Sequence, residues 1–476
     1  MTTISAPGDL PRTLGALRAS GHVAKTVKAE LRDNLLTRMR AGEERFPGII
    51  GFDATVLPQV ERAILAGHDI VLLGERGQGK TRLIRTIVQL LDEWTPIVEG
   101  CEINDHPYRP VCSRCRRLAD EHGDALAVSW KPRDERYAEK LATPDVSVGD
   151  LIGDVDPIKV AEGRALGDPE TVHYGLVPRT NRGIVAINEL PDLAERIQVA
   201  LLNVLEERDI QVRGYVLRMP LDLLLVASAN PEDYTNRGRI ITPLKDRFGA
   251  EVRTHYPLDL DAELSVVTQE ALIIWGDDAV SAALPDHLVE VIARFTRHVR
   301  ESPAVDQRSG VSARFAVSAA ETVAASAVRR AALVGEEVAV ARVADLPSIV
   351  PAVQGKVEFE SSEEGREAEI LEHLLRRAVA DTFRSRLGGV DLTPLVDLFN
   401  EGASVETGEL IPATELLARL GTVPGLGRLL TALGIDEGAE TPGLAAAGLE
   451  FALEGLYLLR RLSKEQLPDR SVYGAK

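Results

Sequence analysis

The chain has 476 residues, of which 45% are hydrophobic and 27% charged, an ordinary globular composition with room for two or three domains and no tract that reads as a disordered domain. A formal charge of −18, from 55 basic and 73 acidic residues, opposes non-specific attraction to nucleic acid, so protein partners are expected and DNA binding is not. No uncharged apolar run reaches the ~18 residues of a membrane span, and the start MTTISAPGDLPRTLGALRAS lacks the basic-then-apolar succession of a signal peptide, so a cytoplasmic protein is expected.

Residues 1–45 read as an N-terminal helical extension, with Leu31, Leu35, Leu36 and Met39 on one face of TVKAELRDNLLTRMRAGE. From Phe46 a short apolar entry and a turn lead to an amphipathic helix with Val56, Val60, Ile64 and Leu65 facing in. It delivers the chain to DIVLLGERGQGKTR, Asp69 to Arg82. There a buried-strand pattern, Asp69 to Leu73, runs into Gly74, Glu75, Arg76, Gly77, Gln78, Gly79, Lys80 and Thr81, and a helical pattern starts at once with Leu83, Ile84, Ile87 and Val88. This is a P-loop. Its glycines let successive backbone N–H groups face a polyphosphate, and the helix N-terminus adds partial positive charge. Lys80 reaches the β- and γ-phosphates of ATP, and the Thr81 hydroxyl can ligate Mg²⁺.

Thr95 to Asp124 fits neither strand nor helix well. It carries all three cysteines, Cys101, Cys112 and Cys115, together with His106 and His122, so a metal site is a better question than a disulfide framework. A Cys-x-x-Cys turn is a common half of a tetrahedral Zn²⁺ site; Cys101 could supply the third ligand and His106 or His122 the fourth. Residues 125–132 return to strand-like text, and loops rich in Gly, Pro and Asp follow. The apolar strand Gly183 to Ile187 ends in the polar pair Asn188 and Glu189, the shape of a Walker B segment, in which the first polar side chain holds Mg²⁺ through water and the second orients the attacking water. An amphipathic helix with Ile197, Leu201, Leu202 and Leu205 comes next, then a hairpin, QVRGYVLRMPLD. A strongly apolar strand, Leu223 to Ala227, delivers Asn230, and a last strand is expected over Glu251 to Tyr256. Beyond Asp259 helical patterns dominate, including a tail from about Leu392 to Leu467.

With these motifs in order, the chain resembles the AAA+ ATPases of the magnesium chelatase small-subunit and MoxR group over roughly residues 46–340. GERGQGKT, YGLVPRTNRGIVAINELPDL, QVALLNVLEERDIQVRGYVLRMPLDLLLVASANPED and PLKDRF carry the resemblance. It implies an α/β fold, a P-loop AAA+ parallel sheet flanked by helices over residues 46–257 and a helical lid over 258–350; the Cys-rich insertion at about 95–124 and a helical C-terminal domain over 351–476, read from the chain's own pattern, have no counterpart in the group. It further implies Glu189 as catalytic acid, Asn230 as sensor 1, Arg247 as an arginine finger given to a neighbouring subunit, and Arg314 as a sensor 2 arginine. The implied assembly is a homo-oligomeric ring, usually a hexamer, working with a protein that carries a von Willebrand factor A domain. The expected function is a ring ATPase that remodels a partner protein; an enhancer-dependent transcription activator and a nucleotide-gated scaffold with little hydrolysis are the alternatives. Asn188 departs from the usual Asp and brings no negative charge to Mg²⁺. From the sequence, Asn188→Asp is therefore expected to lower the Mg²⁺ requirement.

Overall fold

The computed structural model describes residues 7–162, 169–206, 209–212, 215–231, 239–273, 282–307, 309–420, 423, 425–435, 441–467 and 470–476. The chain divides into two units, Met1–His255 and Tyr256–Lys476. In the first, β1 (Ile70–Leu73), β2 (Tyr137–Leu141), β3 (Gly183–Asn188), β4 (Leu223–Ala229) and β5 (Ala250–Arg253) form one parallel sheet in the order β5-β1-β4-β3-β2. The near-continuous apolar text of β1, β3 and β4 follows from burial on both faces. Ile70, Leu72, Ile184, Ala186, Leu224 and Val226 enter one core, and their neighbours Val71, Leu73, Val185, Ile187, Leu225 and Ala227 enter the other. This is the period of two read twice, with a hydrophobic layer waiting on each side.

One layer contains α1 (Val27–Ala41), α2 (Leu57–Ala66) and α3 (Lys80–Ile87), whose residues Leu31, Leu35, Val60, Ile64, Leu83, Ile84 and Ile87 are all buried against the sheet. Fully burying each such side chain stabilises the fold by ~1.5–3 kcal/mol. The N-terminal helix is thus part of the nucleotide-domain core. Thr26 caps α1 by accepting from Ala29 N, and Gly42 ends it at φ 69°. Glu30 on α1 accepts two hydrogen bonds from Arg136, both at 2.7 Å, where Arg136 is 1% exposed. Truncating either partner would strand a buried charge, at a cost of ~3–5 kcal/mol.

Thr95 to Asp124 proves more regular than its sequence suggests. Trp94–Val98 is a strand paired antiparallel with Val128–Pro132, and α4 (Ser113–His122) lies between them. Pro96 disguises the strand, yet a two-stranded ribbon has free edges on which a proline is tolerated. The expected hairpin is present as Asp209–Val212 against Tyr215–Arg218. The last strand of the sheet ends at Arg253, earlier than Tyr256.

The second unit is largely helical. A single core runs from Val267 to Tyr473 and draws on Asp286–Glu301, Ala313–Val334, Glu367–Leu387 and Pro442–Leu458, so residues on both sides of position 350 share it. The tail, expected to be helical from about Leu392 to Leu467, also holds a three-stranded antiparallel sheet of Val405–Gly408, Arg470–Gly474 and Ser463–Gln466. Its strands are short and polar at most positions, which hides them from an apolar-period reading; Val405 and Tyr473, directly opposed, are the buried pair.

Candidate nucleotide site and cysteine cluster

β1 ends at Leu73 and α3 begins at Lys80, so residues 74–79 form the loop between a buried strand and a helix N-terminus. Gly77 and Gly79 both stand at φ 73°, in the left-handed region that a side chain would disfavour. Gly74 is required for space. A Cβ there would lie 1.9 Å from Thr254 Oγ1 and 2.2 Å from Gln78 Oε1. Those two atoms bond each other at 2.8 Å, and Gln78 Oε1 also accepts from Glu75 N at 3.1 Å, so Thr254 at the end of β5 braces the loop. Arg76, Gly77, Gly79 and Arg82 face solvent and Thr81 is half-buried at the first turn of α3. A cleft of about 380 Å³ flanks the loop on the β5 side, lined by Gly74, Glu75, Gln78, Pro231, Arg253 and Thr254 among others.

Three separate strand ends meet beside this loop. The Lys80 ammonium, 7% exposed, donates to Gly74 O, to Glu75 O at 2.8 Å and to Asn230 Oδ1 at 2.8 Å. Asn230, just past β4, donates from Nδ2 to Glu189 Oε2 at 2.7 Å. Glu189 follows β3 in left-handed backbone, φ 55° and ψ 45°. For a non-glycine residue that conformation costs ~1–3 kcal/mol, and such strain gathers at functional sites. An ammonium from the start of α3, an amide just past β4 and a carboxylate just past β3 therefore form one chain of hydrogen bonds. Such a chain can hold a polyphosphate at one end and orient a water at the other.

Asn188 is 8% exposed and fully engaged: its Nδ2 donates to Glu139 Oε1 at 2.6 Å and its Oδ1 accepts from Ser228 Oγ at 3.1 Å. Glu139 lies on β2, whose Leu141 pairs with Asn188, and it also takes hydrogen bonds from Tyr137 at 2.8 Å and from Arg85 at 2.9 and 3.2 Å. Burial pushes the Glu139 carboxyl up, but the hydrogen bonds from Arg85, Tyr137 and Asn188 outweigh it and hold the group below its ordinary range. A carboxylate thus stands beside the position where Asn replaces Asp. Sequence reasoning missed Glu139, because only the register of β2 against β3 brings it there.

Arg247 ends the helix Thr242–Arg247 and pairs within the chain with Glu206, both side chains about two-fifths exposed. Arg314 is exposed in the first turn of Ala313–Val334, in the second unit.

Cys101, Cys112 and Cys115 do come together, and the fourth side chain among them is Asp105; His106 stands outside the set. His106 Nδ1 accepts from Tyr108 N at 3.0 Å, and its ring stacks on His22 at 5.6 Å between centroids. Burial, with Arg182 nearby, pushes its imidazole down to about 3. His122, at the exposed end of α4, is also outside. The loop that presents Cys101 and Asp105 is anchored by Asn104, which donates to Arg179 O at 2.7 Å and Asn181 O at 3.1 Å. Hydrogen bonds from the Cys112 and Cys115 thiols pull Cys101 down to about 4, and the same contacts push Cys115 up, so the trio releases a first proton readily and the next with difficulty.

The chain matches the family described as the Sigma-54 interaction domain over residues 162–247, which include β3, Glu189, β4 and Asn230. It is 30% identical over 227 residues to the magnesium-chelatase 38 kDa subunit of Cereibacter sphaeroides, covering 47% of this chain and 62% of that one. With magnesium-chelatase subunit ChlI of Guillardia theta it shares 28% identity over 210 residues, covering 42% and 54%. The chain thus spans between about half and two-thirds of the length of these curated relatives. Among solved structures, a reconstruction of the complex between subunits BchI and BchD of magnesium chelatase matches with 20% identity, 69% of this chain, 98% of that one and a TM-score of 0.34. NtrX from Brucella abortus matches with 16% identity, 76% and 68% coverage and a TM-score of 0.41. No helix among the described residues is long and apolar enough to cross a membrane.

Proposed function

We propose that this chain, an AAA+ P-loop protein similar to magnesium-chelatase subunits, binds ATP and Mg²⁺ at Gly74 to Arg82 and uses hydrolysis to remodel a partner protein. The observation that carries this reading is the chain of hydrogen bonds from Lys80 through Asn230 to Glu189. The residues fit the nucleotide: Gly77 and Gly79 take the left-handed backbone of a phosphate-wrapping loop, and the buried ammonium of Lys80 rests on carbonyl oxygens it can exchange for phosphate oxygens. Mg²⁺, when bound, neutralises charge on the β- and γ-phosphates. Thr81 and Asn188, with Glu139 behind Asn188, would hold its inner ligands and waters. Glu189 would accept a hydrogen bond from the attacking water and orient it in line. Asn230 would fix the Glu189 carboxylate and report phosphate occupancy at Lys80. Arg247 would leave Glu206 to meet the nucleotide of a neighbouring subunit, a contribution of ~10³-fold or more, and Arg314 would take the sensor 2 role that the resemblance implies. The implied assembly is a homo-oligomeric ring, hexameric in the group this chain resembles, with a von Willebrand factor A domain protein as partner.

Nucleotide binding by calorimetry in the presence of Mg²⁺, for the natural chain and Lys80→Ala, tests the first step. The proposal expects ATP to bind the natural chain and to lose at least ~100-fold in affinity without the Lys80 ammonium. Equal affinity for both would remove the P-loop from the account.

The match to the Sigma-54 interaction domain favours a second reading, an enhancer-dependent transcription activator. The sequence carries no Gly-Ala-Phe-Thr-Gly-Ala loop, and its net charge of −18 opposes DNA. Specific DNA binding at moderate salt would favour the activator over the remodeller. The engagement of Asn188 by Glu139 keeps a third reading, a nucleotide-gated scaffold, in view; steady-state turnover separates it from the first.

A further inference from the structure

We propose that Cys101, Asp105, Cys112 and Cys115 hold one structural Zn²⁺, with Asp105 in the place where the sequence suggested a histidine. Their ligand atoms all lie within 4.8 Å of one another, and all four side chains are buried. Four ligands at the ~2.0–2.3 Å typical of zinc stand ~3.3–3.8 Å apart around a tetrahedron, so small rotations close the set on one ion.

The carboxylate of Asp105 supplies the second, independent observation. Asp105 is 1% exposed. Its Oδ2 accepts from Cys112 N at 2.9 Å, while Oδ1 is buried with no hydrogen-bond partner among the described residues. A buried carboxylate oxygen without a partner is costly, and a cation among three sulfurs would satisfy it. The sulfurs are also prepared as acceptors. Asp105 N donates to Cys101 Sγ at 3.3 Å and Cys115 N donates to Cys112 Sγ at 3.3 Å, the latter as the N-cap contact of α4. Backbone N–H groups and the helix N-terminus stabilise negative charge on those sulfurs, as the surroundings of a thiolate-bound metal do.

Donor chemistry selects the metal. Three thiolates exclude Mg²⁺ and Ca²⁺, which take oxygen, and iron–sulfur clusters ordinarily need four cysteines. Zn²⁺ takes sulfur and carboxylate together, and four protein ligands leave no open position for substrate. Binding would release the remaining thiol protons to solvent. The ion would tie the Asn104–Asp105 loop to the start of α4, fixing an insertion whose sulfurs already sit in the hydrophobic core on one face of the sheet. The rival is a redox pair in Cys112 and Cys115. Against it, both thiols are buried and a carboxylate and a third sulfur converge on them.

The test uses the full chain, purified without added metal. Elemental analysis should give about one zinc per chain; the zinc absorption edge should report three sulfur and one oxygen ligand; and the three thiols should resist alkylation until a chelator is added. Asp105→Ala should lose zinc to a competing chelator faster by more than the ~10–100-fold typical of losing a mere partner to a ligand, whereas His106→Ala should retain it. Far less than one equivalent of metal with reactive thiols would overturn the proposal. So would a Cys112–Cys115 disulfide, iron in place of zinc, or zinc lost in His106→Ala and kept in Asp105→Ala. If Asp105→Ala fails to fold, the metal content and absorption edge of the natural chain still decide, and none of these outcomes bears on ATP binding.

Discussion

Asn188→Asp restores the residue type usual at its position, and the structure predicts that it will do harm. The Asn188 amide donates to Glu139 at 2.6 Å at a site that is 8% exposed, and Ser228 already satisfies its oxygen. An Asp keeps the Ser228 contact but loses the donor to Glu139, which costs ~1.5–3 kcal/mol for a hydrogen bond to a charged acceptor. It also sets a second carboxylate ~3 Å away, and at an effective dielectric of ~20 the repulsion is ~5 kcal/mol. Arg85, held on Glu139 at 2.9 and 3.2 Å, and uptake of a proton both relieve that repulsion. The expected net loss is ~2–4 kcal/mol in metal-free denaturant unfolding, partly recovered with Mg²⁺ and ATP. Because Glu139 already brings negative charge to this place, the Mg²⁺ concentration for half-maximal ATPase activity should not fall in Asn188→Asp, and it should rise in Glu139→Gln. An Asn188→Asp protein of undiminished stability with a lower Mg²⁺ requirement would refute the role given to Glu139.

Gly74→Ala should weaken nucleotide binding at least ~10-fold, since the new methyl must break the Gln78–Thr254 brace; calorimetric affinity equal to that of the natural chain would contradict this. Arg247→Ala should keep ATP binding and lose turnover, and mixing it with Glu189→Gln should restore some activity where an intact Arg247 meets an intact Glu189; full turnover by a monomer would exclude action between subunits. His287, packed on Phe451, is buried with neither ring nitrogen finding a hydrogen-bond partner among the described residues, and burial pushes its imidazole from 6.5 down to about 3. The folded chain holds it neutral while the unfolded chain takes up a proton. The stability it contributes is therefore complete above pH ~6.5 and lost at ~1.4 kcal/mol per unit as pH falls towards 3. His287→Leu should flatten that part of the stability–pH curve, and an unchanged slope would show that other groups set it.

The parts of the site that lie along one stretch of chain are legible in the sequence. A P-loop, the Asn188–Glu189 pair and Asn230 each follow an apolar strand, and parallel strands that end together bring their next residues together. What depends on pairing is not legible. Glu139 sits mid-strand and reads as a solvated charge until β2 is placed beside β3. Thr254 braces the P-loop only because β5 adjoins β1. Asp105, the fourth side chain of the cysteine cluster, escapes a search for cysteine and histidine spacings, since a carboxylate has no fixed offset in such a set; its neighbour His106 offered the more familiar chemistry but turns to His22. The C-terminal sheet is hidden because its strands are short and bury few residues, Val405 and Thr407 on one strand and Tyr473 on its neighbour.

The relay from Lys80 through Asn230 to Glu189 is tested most directly by Glu189→Gln, which keeps the side chain's shape and its contact with Asn230 while removing the carboxylate. ATP affinity and steady-state turnover should be measured on the same preparation. Affinity within a few-fold of the natural chain, with turnover reduced at least ~100-fold, is the predicted result. Turnover that survives the change would contradict the assignment of Glu189 and, with it, the proposed ATPase site.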